Sequence, residues 1–285
     1  MITFIYALVF VALVIASITD IQTREVPDIL SYGLLVAGFF LNIILSIVRD
    51  NINYVVESVA GFLFCFVFSL ILFYTGQWGG GDAKLIWGIG ASIGLPISLE
   101  VMPFLILFLV NSFFVGAIFG VFWMLTLAIR HYRDVSVEVR KNFGNHKIKV
   151  YTYVAVLIIL TVLPIIAYPQ ILEAYHIYLL FVLALLALPP LLYLVRLVEA
   201  KFMYKKLNLE KLVPGDWVIE SKETIKIGFK IPKTGVSEQD IMDLKNSDIE
   251  EVMVKEGIPF VPSFLIAFII TELFGNWFLD LILIF

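Results

Sequence analysis

The sequence predicts an all-α polytopic membrane bundle of about six to eight transmembrane helices with a small cytosolic α+β insertion. Of its 285 residues, 61% are hydrophobic and only 15% are charged, whereas soluble domains carry about 25% charged residues. The mean hydropathy is +0.98. The apolar residues are collected into stretches long enough for a helix to cross a bilayer, and a single long polar stretch interrupts them.

Eight apolar stretches are the predicted spans. The first lacks a basic start and a small-residue cleavage site, so we expect a retained span rather than a signal peptide. Two of the others are irregular, because 84–99 contains three glycines and should form a short helix, and 260–285 should break near Gly275. The eight ranges are 1–19, 29–48, 54–75, 84–99, 102–129, 151–168, 177–195 and 260–285.

The basic residues predict that the N-terminus lies outside the cell membrane. With that orientation Arg49 is the one residue among the 20 Lys and Arg that faces outward, as the accumulation of basic residues on the cytoplasmic side requires. The basic loop at 130–150 is the clearest marker, because the opposite orientation would place its Lys and Arg residues outside.

The polar stretch at 196–258 is predicted to be a small cytosolic α+β module. Residues 216–221, 224–231 and 249–254 have the composition of strands. Ser237, followed three residues later by Asp240, is typical of a capping box that opens a short helix. The module by itself predicts no activity.

Composition also excludes several functions. The net charge of −4 argues against a nucleic-acid partner. Cys65 is the only cysteine, which excludes a disulfide framework and a Cys-rich zinc site. No HExxH or phosphate-binding-loop motif occurs. We therefore expect no metal and no cofactor.

The turn at 79–82, Gly-Gly-Gly-Asp, is the first candidate for chemistry. Three consecutive glycines leave room for another backbone segment to approach closely. Asp82 would lie at the cytosolic edge of the bilayer. A purely structural interpretation stays open, because an aspartate there also caps the helix predicted at 84–99.

Asp20 is the second candidate, at the cytosolic end of the first span. Taken alone it fits a solvated loop carboxylate equally well. The predicted topology favours a functional role for Asp20. The first and third spans both run inward, which brings Asp20 and Asp82 to the same membrane face and a similar depth. Two carboxylates that meet tend to share one proton, which supplies a general base and a general acid.

These residues resemble a known family. The Gly-Gly-Gly-Asp-Ala-Lys stretch at 79–84, together with Asp20 and the Pro-Asp pair at 27–28, is similar to the type IV prepilin and archaeal preflagellin peptidases, membrane aspartic proteases with a GxGD motif. Gly79 and Gly81 match the two fixed glycines of that motif. The resemblance covers 1–129, and the stretch at 257–262 resembles the start of the family's last span.

The resemblance implies that Asp20 and Asp82 are the catalytic pair and that Lys84 orients or electrostatically tunes Asp82. A lysine reaching out of the membrane edge is the alternative for Lys84. Enzymes of this family remove short basic leader peptides from preflagellin (archaellin) or type IV prepilin-like precursors at the cytoplasmic face, just before the precursor's hydrophobic helix. The implied partners are those precursors and membrane lipid.

Two acidic residues after Asp20 are candidates for binding the basic leader. Glu25 and Asp28 lie in the predicted cytosolic loop, on the face where the leader would approach. The alternatives are that the loop is simply solvated and that Asp28 caps the helix at 29–48.

The chain departs from the family in two ways. Bacterial members often carry an N-terminal domain with paired CxxC motifs and also methylate their product. This sequence starts with a span and has one cysteine, so we expect no methylation. The hairpin at 151–195 exceeds the six spans associated with preflagellin peptidases, which leaves open whether the substrate is an archaellin or another pilin-like precursor.

The predicted organisation has five parts: a membrane catalytic core at 1–129, a basic cytosolic loop at 130–150, a transmembrane hairpin at 151–195, the module at 196–258 and a last span at 259–285. An ion- or proton-coupled transporter is the main alternative function, since ionisable residues in spans often mark transport pathways. A structural scaffold is the third hypothesis. The residues a transporter would use, all near predicted outer ends of spans, are Glu57, Glu100, Glu272 and Asp280.

Overall fold

The computed structural model describes residues 2–98, 102–145, 147–167, 175–232, 234–247 and 249–275. It is a helical membrane protein with a small insertion, as the sequence predicts. Five helices of this described part are long and apolar enough to cross a membrane, and two shorter apolar helices accompany them. The described residues separate into two compact units, the first containing the residues up to 120 and those from 204 onward, the second containing Val121–Met203.

Five helices come from the N-terminal apolar stretches. They are α1 (Ile2–Thr23), α2 (Asp28–Val48), α3 (Asn53–Tyr74), α4 (Gly80–Ile93) and α5 (Phe104–Arg130), and the unit boundary falls within α5. Helix α4 has 14 residues, which is about 21 Å of helix and too short for a hydrocarbon core of about 30 Å. The predicted short helix is therefore confirmed, although it begins four residues before 84.

Helix α4 packs between α2 and α3 through small residues. A side chain at Gly90 would collide with the carbonyl oxygen of Gly61, and a side chain at Gly61 would collide with the carbonyl oxygen of Gly90. Asn42 of α2 donates from Nδ2 to the carbonyls of Ala91 and Ser92, at 3.1 and 3.0 Å. Small residues let membrane helices approach this closely, so the position of α4 is tightly determined.

The second unit holds three further helices, α6 (Tyr132–Asn145), α7 (Lys147–Ala167) and α8 (Tyr175–Phe202). The predicted loop at 130–150 is wrong, because most of it forms α6. Val135 and Val139 are four residues apart and share one face, and Val135 is buried, so the segment is an amphipathic helix.

The polar module contains β1 (Tyr204–Asn208), a 3₁₀ turn, β2 (Trp217–Val218), α9 (Lys222–Lys226), α10 (Glu238–Lys245) and β3 (Glu251–Lys255). Its strands form an antiparallel sheet in the order β1-β3-β2. The capping box is confirmed, because the Asp240 amide donates to Ser237 Oγ and the Ser237 amide donates to Asp240 Oδ2.

The strands of this module differ from the sequence prediction in two places. The predicted strand at 224–231 is wrong, because Ser221 and Thr224 cap one another and open α9 instead. Strand β1 was not predicted. Its second and third residues are Lys205 and Lys206, which are both exposed and interrupt the alternation of apolar and polar residues typical of a strand. The pairing with β3 stabilises the strand instead.

The last described helix is α11 (Val261–Phe274), which ends at Gly275 as the sequence predicts. The rest of the predicted span at 260–285 lies outside the described residues. Helix α11 packs along α1 and is fixed to α5 by Asn111, whose Nδ2 donates to Thr271 Oγ1 at 2.8 Å. The start of α11 follows β3 by only a few residues.

Candidate active site

Asp20 lies near the end of α1 with 6% of its surface exposed. Its Oδ2 accepts a hydrogen bond of 2.9 Å from the backbone amide of Val261, the first residue of α11. The first amides of a helix lack partners within the helix and attract carboxylates. Asp20 is therefore a buried carboxylate that joins the first described helix to the last one.

The glycine turn packs against the segment that follows α1. A Cβ atom at Gly81 would lie 3.3 Å from both the backbone nitrogen and the Cβ atom of Val26, closer than most side chains are found. Val26 itself is buried. The predicted close approach of another backbone segment to this turn is thus found at Gly81.

Asp82 is the third residue of α4, and its Oδ2 accepts a hydrogen bond of 3.1 Å from the amide of Gly79. This is the acceptor half of a capping box. Asp82 therefore does cap a helix, as the structural interpretation expects. The helix begins at Gly80 rather than at residue 84, and the carboxylate binds the amide of Gly79, the residue before the helix.

The two carboxyls influence each other. Asp82 is half-buried in the first turn of α4, outside the spanning helices. The loss of water around its carboxyl raises the pKa of Asp82 to about 7, and the negative charge of Asp20 is the second cause of the increase. The structure thus brings Asp20 and Asp82 within electrostatic range of each other, at the junction of α1, α4 and α11.

This pKa predicts a pH-dependent gain in stability for Asp82→Asn. Because the folded chain holds the Asp82 proton more tightly than an ordinary carboxyl, with a pKa of 3.8, the free energy of unfolding falls as the pH rises from about 4 to 7. Asparagine does not titrate. We expect the variant to exceed the original protein in Tm by more at pH 8 than at pH 5, measured in one detergent.

The control for this measurement is Asp243→Asn, at an exposed position of α10. Its effect on Tm should be the same at both pH values. An Asp82→Asn difference that does not grow with pH would contradict the raised pKa.

Lys84 is directed away from Asp82. Its Nζ atom forms an ion pair of 2.7 Å with Asp28 Oδ1 and lies 5.6 Å from the centre of the Tyr32 ring. Residues two apart on a helix point in nearly opposite directions, which accounts for this placement. Asp28, the first residue of α2, is therefore already paired with a cation of this chain, whereas the Glu25 side chain is exposed.

Three residues important to this site were not predicted from the sequence as functional residues. Val261 supplies the amide that binds Asp20, and Trp78 and Phe260 pack against each other with ring centres 6.0 Å apart. Trp78 is 4% exposed. The sequence held one signal for Trp78, which directly precedes the glycine turn. For Phe260 and Val261 the signal was the resemblance of 257–262 to a family segment.

Other ionisable residues lie elsewhere. Of the acidic residues a transporter would use, Glu57 is half-buried in α3 and Glu272 is exposed, while Glu100 and Asp280 fall outside the described residues. No group of three or more His, Cys, Asp or Glu in the described ranges is placed to hold a metal ion.

Comparison with known proteins identifies relatives of this membrane region. Residues 7–121 match the type IV leader peptidase family. The preflagellin peptidase of Methanocaldococcus jannaschii is 32% identical over 153 residues, which are 49% of this chain and 65% of that protein. The preflagellin peptidase of Methanococcus voltae is 35% identical over 101 residues, covering 34% and 43%.

A third relative is the prepilin peptidase EppA of M. jannaschii, which is 26% identical over 46% of this chain and 35% of its own length. The chain thus spans less than two thirds of each of these three relatives. The family match includes Asp20, the glycine turn and Asp82. The membrane region at residues 7–121 is thus the part of this chain that is similar to the type IV leader peptidase family.

Proposed function

We propose that this chain is a membrane aspartic endopeptidase that removes leader peptides from preflagellin or type IV prepilin-like precursors, with Asp20 and Asp82 as its catalytic pair. The observation that carries this proposal is the placement of the Asp82 carboxyl away from water and near Asp20, because loss of water and, second, the negative charge of Asp20 raise the pKa of Asp82. The names of the relatives, preflagellin peptidase and prepilin peptidase, support the substrate class.

The pair accounts for peptide hydrolysis without a covalent intermediate. A carboxyl with a pKa of about 7 still holds a proton in about half of the molecules at neutral pH, so we assign Asp82 as the general acid and Asp20 as the general base. Asp20 takes a proton from a water molecule as the water oxygen attacks the scissile carbonyl. Asp82 polarises that carbonyl and gives its proton to the leaving amine as the C–N bond breaks, and the proton that Asp20 took from the water restores the singly protonated state of the pair.

The predicted topology places this chemistry at the cytoplasmic face. A precursor whose hydrophobic helix lies in the bilayer would then present the bond before that helix to Asp20 and Asp82, with its leader in the cytosol. Membrane lipid would surround both the precursor's hydrophobic helix and the spanning helices of this protein. Lys84, bound to Asp28, supports the site by tying the start of α2 to the first turn of α4.

The direct test is cleavage of a leader-bearing precursor by the purified protein in detergent or vesicles. We expect one cut, directly before the precursor's hydrophobic helix, with an unchanged rate in the presence of chelators or serine-directed reagents. Absence of the cut, or inhibition by a chelator that zinc reverses, would overturn the aspartic mechanism.

Glu25 is the better candidate for reading the leader's basic residues, because it is exposed while Asp28 already pairs with Lys84. We expect Glu25→Lys to lower kcat/KM for a basic leader and to recover part of that loss when the leader's charge is reversed. An ion pair at a partly dry membrane edge contributes more than the roughly 0–1 kcal/mol typical of a solvent-exposed ion pair.

Four combinations of enzyme and leader give the interaction directly, through a double-mutant cycle. Glu25→Gln is the matched control, since it removes the charge without adding an opposite one, and its effect should be the smaller. Purely additive changes in kcat/KM would mean that Glu25 does not contact the leader.

A further inference from the structure

We propose that Phe260 is a positioning residue that fixes Asp20 and Asp82 relative to each other. This inference rests on the proposed function, since it concerns the geometry of the catalytic pair. Phe260 is the residue immediately before α11. Its backbone, together with that of Val261, hydrogen-bonds to the Asp20 carboxyl, and its ring contacts Trp78, which precedes the turn that holds Asp82.

The connection to Asp20 is through the backbone. Val261, which follows Phe260, donates its amide to Asp20 Oδ2 at 2.9 Å. Val261 is fully buried, so this amide has no freedom to move independently of the residues around it. A shift of Phe260 would therefore move the hydrogen-bond donor of Asp20.

The connection to Asp82 is through an aromatic contact. The Phe260 ring lies against Trp78, with centres 6.0 Å apart. Trp78 directly precedes Gly79, whose amide donates to Asp82 Oδ2 at 3.1 Å. Trp78 is almost completely buried, and a shift of Phe260 would therefore also disturb the turn that holds Asp82.

A glycine on α5 accommodates the Phe260 ring. A Cβ atom at Gly116 would lie 2.5 Å from both Cε2 and Cζ of Phe260, so any other residue there must push the ring away. One turn further along the same helix, a Cβ atom at Gly120 would have none of the described residues within 4 Å. The ring thus occupies a notch that exists only because residue 116 has no side chain.

These contacts form one path from Asp20 through Val261, Phe260, Trp78 and Gly79 to Asp82. Catalysis by a carboxyl pair depends on placement, and an error of about 1 Å costs on the order of 100-fold in rate. Displacing Phe260 should therefore slow the chemical step while leaving precursor binding intact.

The first experiment compares Gly116→Ala with its matched control Gly120→Ala. We expect Gly116→Ala to lower kcat by about tenfold or more with little change in KM, and Gly120→Ala to keep the original values. A kcat for Gly116→Ala equal to that of Gly120→Ala would overturn the proposal.

The second experiment is a rescue. Leucine is smaller than phenylalanine, so Phe260→Leu should make room for the alanine methyl, and the double variant should have a higher kcat than Gly116→Ala alone. A merely structural clash would lower the yield of folded protein rather than kcat per folded molecule, which Tm and active-site titration separate. A double variant slower than Gly116→Ala would contradict a positioning role for the ring.

If Gly116→Ala does not fold, Phe260→Leu alone carries the test. It should lower kcat several-fold at constant KM. Phe113→Leu is its control, because Phe113 also stacks on Trp78, with centres 6.0 Å apart, but is 43% exposed and is not adjacent to Val261. Equal kcat values for the two variants would overturn the proposal.

Failure of this inference is distinguishable from failure of the proposed function. If the original protein does not cleave the precursor, or cleaves it without Asp20 and Asp82, the function itself is wrong. If cleavage requires both aspartates but tolerates displacement of Phe260, only the positioning role is wrong.

Discussion

Asp20→Asn and Asp82→Asn should each lower kcat for precursor cleavage by roughly 10²–10⁴-fold, the usual contribution of general acid–base catalysis. Asparagine has nearly the same shape and accepts the same backbone hydrogen bond, from Val261 or from Gly79, but it neither takes nor gives a proton. Because the two carboxyls act as a unit, the double variant should be no slower than the slower single variant.

Single-turnover cleavage by equal amounts of folded protein measures this effect. Asp216→Asn is the matched control, because Asp216 also accepts a backbone hydrogen bond, from Val213 at 2.9 Å, but lies in the polar module. It should cleave at the original rate. Near-normal turnover by either Asp20→Asn or Asp82→Asn would contradict the assignment of the pair.

Gly90→Ala should lower the stability of the membrane region. The new Cβ would lie 2.7 Å from Cys65 Sγ and would also collide with the carbonyl oxygen of Gly61. Overpacking of this kind costs about 1–3 kcal/mol. Glycine to alanine in a helix otherwise gains about 0.5–1 kcal/mol, so a net loss would isolate the clash.

The measurement is Tm in one detergent, with cleavage activity as the second readout, because α4 carries Asp82. Gly33→Ala on α2 is the control, since a Cβ atom there would meet no atom of the described part of the chain within 4 Å. It should leave Tm unchanged or raise it. Equal Tm values for the two variants would mean that α3 and α4 separate at no cost.

The sequence predicts the features of this protein that depend on local pattern. Apolar stretches of sufficient length specify the spanning helices, and the glycines at 79–81 indicate a turn that another segment approaches. The strand predicted at 224–231 shows the limit of this approach. There the apolar alternation favours a strand, but a local cap between Ser221 and Thr224 starts α9 instead.

Contacts between distant segments could not be predicted in this way. Strand β1 exists because β3 pairs with it, about 50 positions later in the sequence, and nothing local in its two lysines indicates this. The family resemblance implies that Lys84 acts on Asp82. Its actual partner, Asp28, is 56 residues away, and only the packing of α4 on α2 brings them together.

The hydrogen bond between Val261 and Asp20 spans 241 residues, and this separation has a consequence for synthesis of the protein. A ribosome adds about 5–20 residues per second, so roughly 10–50 s pass between translation of Asp20 and translation of its amide donor. Throughout that interval the carboxylate of the nascent chain has no α11 to receive it. The site is therefore completed only when the final described helix enters the membrane, and a nascent chain that stops before it carries both aspartates without the contact that holds the first of them.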